Sequence, residues 1–326
     1  MSGGPLVSVL MTAYNRERYI VAAIESVLQQ TWADFELLVV DDRSTDRTAD
    51  IAAEYAARDA RVRVVVNSEN LGDYRNRNRA AQLARGQLLK YHDSDDIMYP
   101  HCLDVMVAPL LSEPRAGFAL STSRDWSGGP CPMLLTPRMS YQREFLGGGL
   151  FQCGPASALF RADVFRALGG FPDKGVGSDH IFWLRACARV SVLLVPGDLF
   201  WYRVHAGQEL QSPRALREYA LVPREVWSAL ASPECPLEPR ELEQARRNQA
   251  YMVVKHAWRD IRAGRWGLAG RRLSQAGLAG RDWLRYLRRP RRDPLAGTPI
   301  DARGEYVMPD WSADRKPAVG SPEREP

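Results

Sequence analysis

Apolar positions in the first 110 residues switch between two periods, and the switching predicts strands joined by helices. Residues 6–11 form an uncharged apolar run, suited to a strand buried on both faces of a parallel sheet. Tyr19-Ile20, Ala23-Ile24 and Val27-Leu28 then recur at helical spacing. Strands are expected at 35–40, 62–66 and 87–91, with helices at 48–58 and about 75–85. Ser44 or Thr45 should cap the first of these helices and Gly86 should close the second. The order β-α-β-α-β-α-β predicts an α/β fold: a doubly wound, mostly parallel sheet flanked by helices.

Such sheets bind ligands outside the carboxyl ends of their strands. Three polar segments fall there: 12–16, which reads as a turn, then Asp41-Asp42, and Asp93-Ser94-Asp95-Asp96. Three carboxylates within four residues repel one another unless a cation lies between them. Oxygen ligands of this kind suit Mg²⁺ or Mn²⁺, which often bridge carboxylates to substrate phosphates. Taken alone, the cluster reads equally well as a solvated acidic turn. Neither common glycine-rich phosphate loop is present. A nucleotide bound here would therefore have its diphosphate charge met by a metal and not by a backbone nest.

The segments 7–15, 39–46, Arg77-Asn78 and 93–96 together resemble the family 2 glycosyltransferases of GT-A fold. The resemblance extends through 159–165, 168–171, 177–185 and Trp201-Tyr202-Arg203-Val204-His205, in matching order and spacing. It implies a nucleotide-sugar donor, a UDP-sugar before others, and a divalent cofactor, Mn²⁺ or Mg²⁺. Thr12, Ala13 and Tyr14 would line the base and ribose end. Asp42 would accept the imide N–H of a uracil-like base, with Asp41 beside it. Arg77 would lie near the nucleotide. Asp93, Ser94 and Asp95 would hold the donor, with Asp95 the main metal ligand, Asp93 shared between ribose and metal, and His205 closing over metal or pyrophosphate. Asp96 would support the turn or bind the sugar.

Asp179 is the expected catalytic base. An inverting transfer needs one group to take the acceptor's proton while a Lewis acid steadies the leaving diphosphate. The family usually carries two acids at this place, whereas here Ser178 precedes Asp179. Helical spacing through Ile181, Phe182 and Leu184 puts Asp179 in a first turn, where the dipole favours its ionised form. The plainer reading is an N-cap shared with Ser178. His92 and His180 read as local structural residues, and Gly147-Gly148-Gly149 as either an acceptor loop or a tight turn.

The expected organisation is a nucleotide-sugar-binding half at 1–110 and an acceptor-binding, catalytic half at 111–210. A helical appendage at 211–292 and a disordered tail at 293–326 follow. In the appendage, Ala250, Val253-Val254, Ala257-Trp258 and Ile261 make one apolar stripe; Leu273, Ala276, Trp283-Leu284 and Leu287 make another. The two read as a hairpin packed on the catalytic domain, in preference to a basic surface for anionic lipid, so membrane contact is peripheral at most. A net charge of +5, without a recognisable motif, argues against nucleic acid. Five cysteines without a CxxC argue against zinc or a disulfide framework and for a reducing cytosol. A strand begins almost at once, with no leader pattern, and no apolar run approaches a membrane span. The acceptor, whether glycan, lipid-linked sugar or small molecule, is left open. Two rival functions stand beside the transferase: a nucleotidyltransferase, disfavoured because no glycine follows the first strand, and a non-catalytic sugar-binding module.

Overall fold

The computed structural model describes residues 4–121, 131–205, 208 and 213–278, with Tyr286 and Ala296 as isolated positions. The first half runs β1 (Val7–Ala13), α1 (Ile20–Leu28), β2 (Phe35–Asp41), α2 (Thr48–Ala56), β3 (Val62–Val66), α3 (Asp73–Leu83) and β4 (Leu88–Asp93). The second adds β5 (Ile97–Met98), α4 (Cys102–Ser112), β6 (Ala116–Ser121), β7 (Met133–Leu135), α5 (Pro137–Phe145), β8 (Ala158–Arg161), α6 (Ala162–Ala167), α7 (Ser178–Cys187), β9 (Ser191–Val195) and β10 (Phe200–Trp201). The sheet order is β3-β2-β1-β4-β8-β6-β9-β7, with β5 and β10 forming a separate antiparallel pair. The pairs β1–β2, β1–β4, β2–β3 and β6–β9 are parallel; β4–β8, β6–β8 and β7–β9 are antiparallel. The mostly parallel α/β sheet expected from the sequence is what forms.

Both faces of that sheet are covered, which is why β1 and β2 are mostly apolar and their buried Ser8 and Glu36 pair with each other (2.5 Å). Val7, Val9 and Met11 pack with Ile20, Ile24 and Val27 of α1 and Met106 of α4. Leu10 points the other way, into a cluster holding Tyr91, Phe160, Phe165, Phe171, Phe182 and Trp183. The side-chain alternation of a strand thus feeds two separate cores.

Several boundaries move. β1 continues to Ala13, so Thr12 and Ala13 belong to the strand and not to the turn. Neither Ser44 nor Thr45 caps α2. The Asp46 carboxylate accepts the Thr48 N–H (3.0 Å), while the Ser44 hydroxyl donates to Asp41 (2.5 Å). α3 ends at Leu83, and Ala84 is already extended. Gly86 serves a different purpose from the expected helix stop. A Cβ there would lie 2.5 Å from the Ser8 nitrogen, so only glycine lets the chain pass against β1. Gly147-Gly148-Gly149 is a turn closing α5: the Gly149 N–H reaches the Arg143 carbonyl (3.0 Å), at φ +102°.

Beyond β10 come α8 (Pro213–Tyr219), α9 (Val222–Ala231), α10 (Pro239–Arg262) and α11 (Trp266–Gln275). α10 starts with a capping box between Glu238 and Glu241, and both acids pair with Arg138 at the start of α5. Its Asn248 amide donates to the Phe145 carbonyl (2.7 Å), so the hairpin is tied to the sheet-bearing domain. Trp283, Leu284 and Leu287 of the second stripe, the arginines of 288–292 and the expected tail lie outside the described residues, Ala296 apart. No described helix is long and apolar enough to cross a membrane.

Candidate active site

A cleft of about 800 Å³ opens at the carboxyl ends of β1, β2 and β4. Thr12, Ala13, Tyr14, Asp42, Arg77, Asp93, Ser94, Asp95 and Asp179 all line it. The residues at 12–14, 42 and 93–95 meet because parallel strands end on one edge, and α3 and α7 add Arg77 and Asp179. Asp41 does not reach the cleft. It is fully buried, and its carboxylate accepts the Ser44 N–H and hydroxyl (2.8 and 2.5 Å), fixing the turn after β2.

Asp42 is also spoken for in part. Its Oδ1 accepts the Leu71 N–H (2.8 Å) and the Asn67 amide (2.7 Å), and its Oδ2 accepts the Gly72 N–H (2.8 Å). The carboxylate thereby pins the 67–72 loop to the cleft wall. Asn67 passes the connection to Asn76 (2.9 Å), whose amide donates to the Val40 carbonyl (3.0 Å).

The carboxylates after β4 face cations. Arg77 bridges Asp73 (2.8 Å) and Asp93 (2.7 Å). Burial opposes ionisation of Asp93, but the Arg77 guanidinium outweighs it and holds the carboxyl below its usual range. Arg77 Nη1 is buried without a hydrogen-bond partner among the described residues, a donor left for a ligand oxygen. The Asp95 Oδ2 receives Arg16 Nε and lies 3.0 Å from both it and His205 Nε2. The Tyr19 ring packs on that imidazole, with centroids 4.4 Å apart. Ser94 donates to the Thr12 carbonyl (2.9 Å), locking the turn onto β1. Asp96 faces inward, accepting the Arg203 N–H (3.0 Å); burial, with Asp93 and Asp95 beside it, pushes its pKa up to about 8. It supports the turn.

Asp179 stands on the opposite wall, in the first turn of α7. The dipole does not decide its charge. Burial pushes the carboxyl up to about 7, against the His180 N–H (2.6 Å) and the Arg77 charge, which favour ionisation. Ser178 does not cap the helix but braces the turn before it: its hydroxyl donates to the Gly175 carbonyl (2.6 Å) and accepts the Lys174 N–H (3.0 Å). His180 Nδ1 lies 3.3 Å from the Phe151 carbonyl, a local contact. His92 is wholly buried, and burial, with Lys90 adding to it, lowers its pKa to about 3.

A divalent ion fits this donor set as a two-ligand site. Asp95 and His205 already meet, although Asp95 is paired with Arg16 as Asp93 is with Arg77. No three His, Cys, Asp or Glu side chains converge on one point among the described residues. Diphosphate oxygens and water would complete the shell, the usual arrangement for Mg²⁺ at phosphates.

Several cleft residues carry no sequence signal that would have singled them out. The 151–156 segment forms a wall, held by Lys90, whose ammonium is buried and contacts the Ala156 carbonyl. Asn70, Gly72, Tyr74 and Tyr219 also line the cleft. The Asp73–Arg77 pair, at i,i+4 spacing, was the one legible clue among them.

The family profile described as "Glycosyl transferase family 2" matches residues 8–169. The uncharacterized protein MT1568 of Mycobacterium tuberculosis is 28% identical over 265 residues, covering 74% of this chain and 80% of that one. WfgD of Escherichia coli, named as a UDP-Glc:α-D-GlcNAc-diphosphoundecaprenol β-1,3-glucosyltransferase, is 40% identical over 106 residues. That match covers 32% of this chain and 41% of WfgD, so the chain spans well under half of this named relative. S. aureus TarS 1-349 with UDP-GlcNAc superposes at a TM-score of 0.61 and 19% identity, over 86% of this chain and 89% of that one. The mannosyltransferase PcManGT of Pyrobaculum calidifontis, with GDP-Man and Mn²⁺, superposes at 0.57 and 19% identity, over 86% and 77%. The solved neighbours share the GT-A fold, and residues 8–169 of the chain match glycosyl transferase family 2.

Proposed function

We propose that the protein moves a sugar from a nucleoside-diphosphate sugar to an acceptor hydroxyl, with inversion at the anomeric carbon. The observation that carries this reading is the meeting of Asp179 with Arg77, Asp93 and Asp95 across one cleft. The cations of that cleft suit an anionic donor, and the unpaired Arg77 Nη1 offers a hydrogen bond to it. Thr12, Ala13, Tyr14 and Asp42 are proposed to hold the nucleoside. A UDP-sugar is favoured, since UDP-GlcNAc is bound in TarS and UDP-Glc is in WfgD's name.

In the proposed step Asp179 takes the proton of the acceptor hydroxyl as that oxygen attacks the anomeric carbon. The bond from this carbon to the diphosphate oxygen breaks, and the nucleoside diphosphate leaves. Arg77 stabilises the departing charge in a partly dry site, where such interactions are strengthened. A divalent ion held by Asp95 and His205 would supply Lewis-acid neutralisation of the diphosphate; the Mn²⁺ bound with GDP-Man in PcManGT supports this assignment. Incubation with α-linked nucleotide-sugars and Mn²⁺ should release nucleoside diphosphate and give a β-linked product by NMR coupling constant. Retention of configuration, or no release from any donor, would overturn the proposal; the second result would favour a sugar-binding module.

Peripheral membrane contact is proposed at α10 and α11. Trp258 and Trp266 are exposed there beside the exposed Lys255, Arg259 and Arg262. Trp and Arg together suit an anionic lipid interface. Co-sedimentation with phosphatidylglycerol vesicles should fall on Trp258→Ala/Trp266→Ala, and equal sedimentation would remove the idea.

A further inference from the structure

A second cavity, of about 390 Å³, adjoins the donor cleft and shares Phe200 and Tyr202 with it. Its remaining lining comes from Tyr99, Ser121, Ser157, Asp198 and Trp201. The topology explains its place. β4 is antiparallel to β8, and β8 to β6, so β6 and its parallel neighbour β9 run in the same sense as β4. Ser121 ends β6, and Asp198 follows β9 by three residues. The cavity therefore lies on the same carboxyl edge as Asp93, further along the sheet, where this architecture binds ligands.

Its chemistry is unusual for an incidental crevice. The Tyr99, Ser121 and Ser157 hydroxyls, the Asp198 carboxylate and the Trp201 indole N–H make no hydrogen bond among the described residues. Ser121 and Ser157 are otherwise buried residues, so what they leave open, their hydroxyls included, faces the cavity. The Trp201 ring is held in place by the Arg203 guanidinium, 4.7 Å from its centroid, and Arg203 Nε also donates to the Asp95 carbonyl (2.8 Å). The platform is thus tied to the turn that carries the acidic cluster. Asp198 is kept at φ +56°, in the left-handed region.

Each ligand class can be weighed against this lining. Among the described residues no Lys or Arg lines the cavity, and a carboxylate does, so a second nucleotide or a free phosphate is disfavoured. An alkyl chain would leave five polar groups unmatched. A pyranose presents an apolar C–H face to an aromatic ring and hydroxyls around its rim to hydroxyl, carboxylate and N–H partners. The volume lies within the ~300–1,000 Å³ of small-ligand sites.

We propose that this cavity binds a saccharide unit of the acceptor, with Trp201 as the stacking platform and Asp198 accepting from sugar hydroxyls. The assignment rests on the transferase reading and narrows its acceptor to a carbohydrate-bearing molecule. Saturation-transfer NMR tests it on the full chain. The probes are the α and β p-nitrophenyl glycosides of glucose, galactose, mannose and N-acetylglucosamine, with UDP and Mn²⁺ present. At least one glycoside should receive saturation at its sugar protons. Trp201→Ala and Asp198→Ala should each weaken that binding tenfold or more, while Trp201→Phe keeps most of it. UDP affinity and donor hydrolysis should stay within twofold in all three variants, which also verifies folding. A sugar signal unchanged in both alanine variants overturns the proposal, as does silence from the whole panel while UDP binds. Failure to bind any nucleotide, by contrast, counts against the transferase reading, and a Trp201-dependent sugar signal would still uphold the cavity as a saccharide site.

Discussion

The two walls of the cleft hold their carboxylates in opposite ways. On the wall built by β1, β2, β4 and α3, each acid that lines the cleft has cations or backbone N–H groups against it: Asp93 with Arg77, Asp95 with Arg16, Asp42 with the 67–72 loop. On the wall built by α7 and the 151–156 segment, Asp179 has one backbone N–H and, among the described residues, no ion pair. The consequence is a split in proton affinity: Asp93 is held low and Asp179 is pushed up to about 7. Environments that drive like groups apart are how one site keeps a charge-holding acid and a proton-taking acid together.

The strongest way to break the comparison is to abolish the proton affinity of one wall. Asp179→Asn preserves shape and cannot accept a proton, so kcat should fall by about 10² to 10⁴. Nucleotide affinity should barely move, because the diphosphate belongs to the other wall. In the wild type, kcat/KM should rise about tenfold per pH unit up to about 7 and then level, as Asp179 loses its proton. Near-normal turnover in the variant, or a flat profile through pH 7, would remove the base from its assigned residue.

The contrast also explains what the sequence could and could not disclose. The parallel half was legible because its strands are largely apolar runs ending in short polar turns, and Asp42, Asp93 and Asp95 sit in or beside those turns. Helix ends were less so, because the Thr48 N–H that opens α2 is met by Asp46, one residue past Thr45 and two past Ser44, and Gly86 answers to a tertiary approach invisible in local pattern. Asp41, expected beside Asp42 at the nucleotide, is turned away from the cleft by strand alternation. On the second wall, 151–156 has no periodicity and is held by Lys90 from 66 residues away. The raised Asp179 pKa depends on burial, which an N-terminal helical position cannot reveal.

Opposite in sense is a change that strips a charge from the first wall. Asp95→Ala removes one of the two proposed metal ligands and leaves Arg16 and His205 without their shared partner. Binding of nucleoside diphosphate in Mn²⁺ should weaken by about 1.5–3 kcal/mol, the range for hydrogen bonds to a charged group. Calorimetry giving equal affinity with and without chelator, in wild type, would detach the metal from this wall altogether.

Asp42→Ala sharpens the comparison by separating binding from scaffold. The Leu71 and Gly72 N–H groups and the Asn67 amide all lose their acceptor. A buried donor left unmatched costs about 1–3 kcal/mol, so thermal stability and nucleotide affinity should drop together. Weakened binding with an unchanged melting temperature would make Asp42 a base reader and nothing more.

The smallest effect is a shift in how stability depends on pH. An unfolded Asp titrates near 3.9, whereas folded Asp179 titrates near 7. Folding therefore favours the protonated carboxyl. Its contribution is fully present below the unfolded pKa and is lost as pH rises through about 7, because ionising the group in the folded protein means charging it in a poorly solvated wall. Asn at this position cannot ionise and escapes the loss. The melting temperature of Asp179→Asn relative to wild type should thus climb between pH 4 and pH 8. Parallel melting curves across that range would mean that water reaches Asp179 as freely as it reaches an unfolded chain, and the two walls would no longer differ in the property that assigns them separate roles.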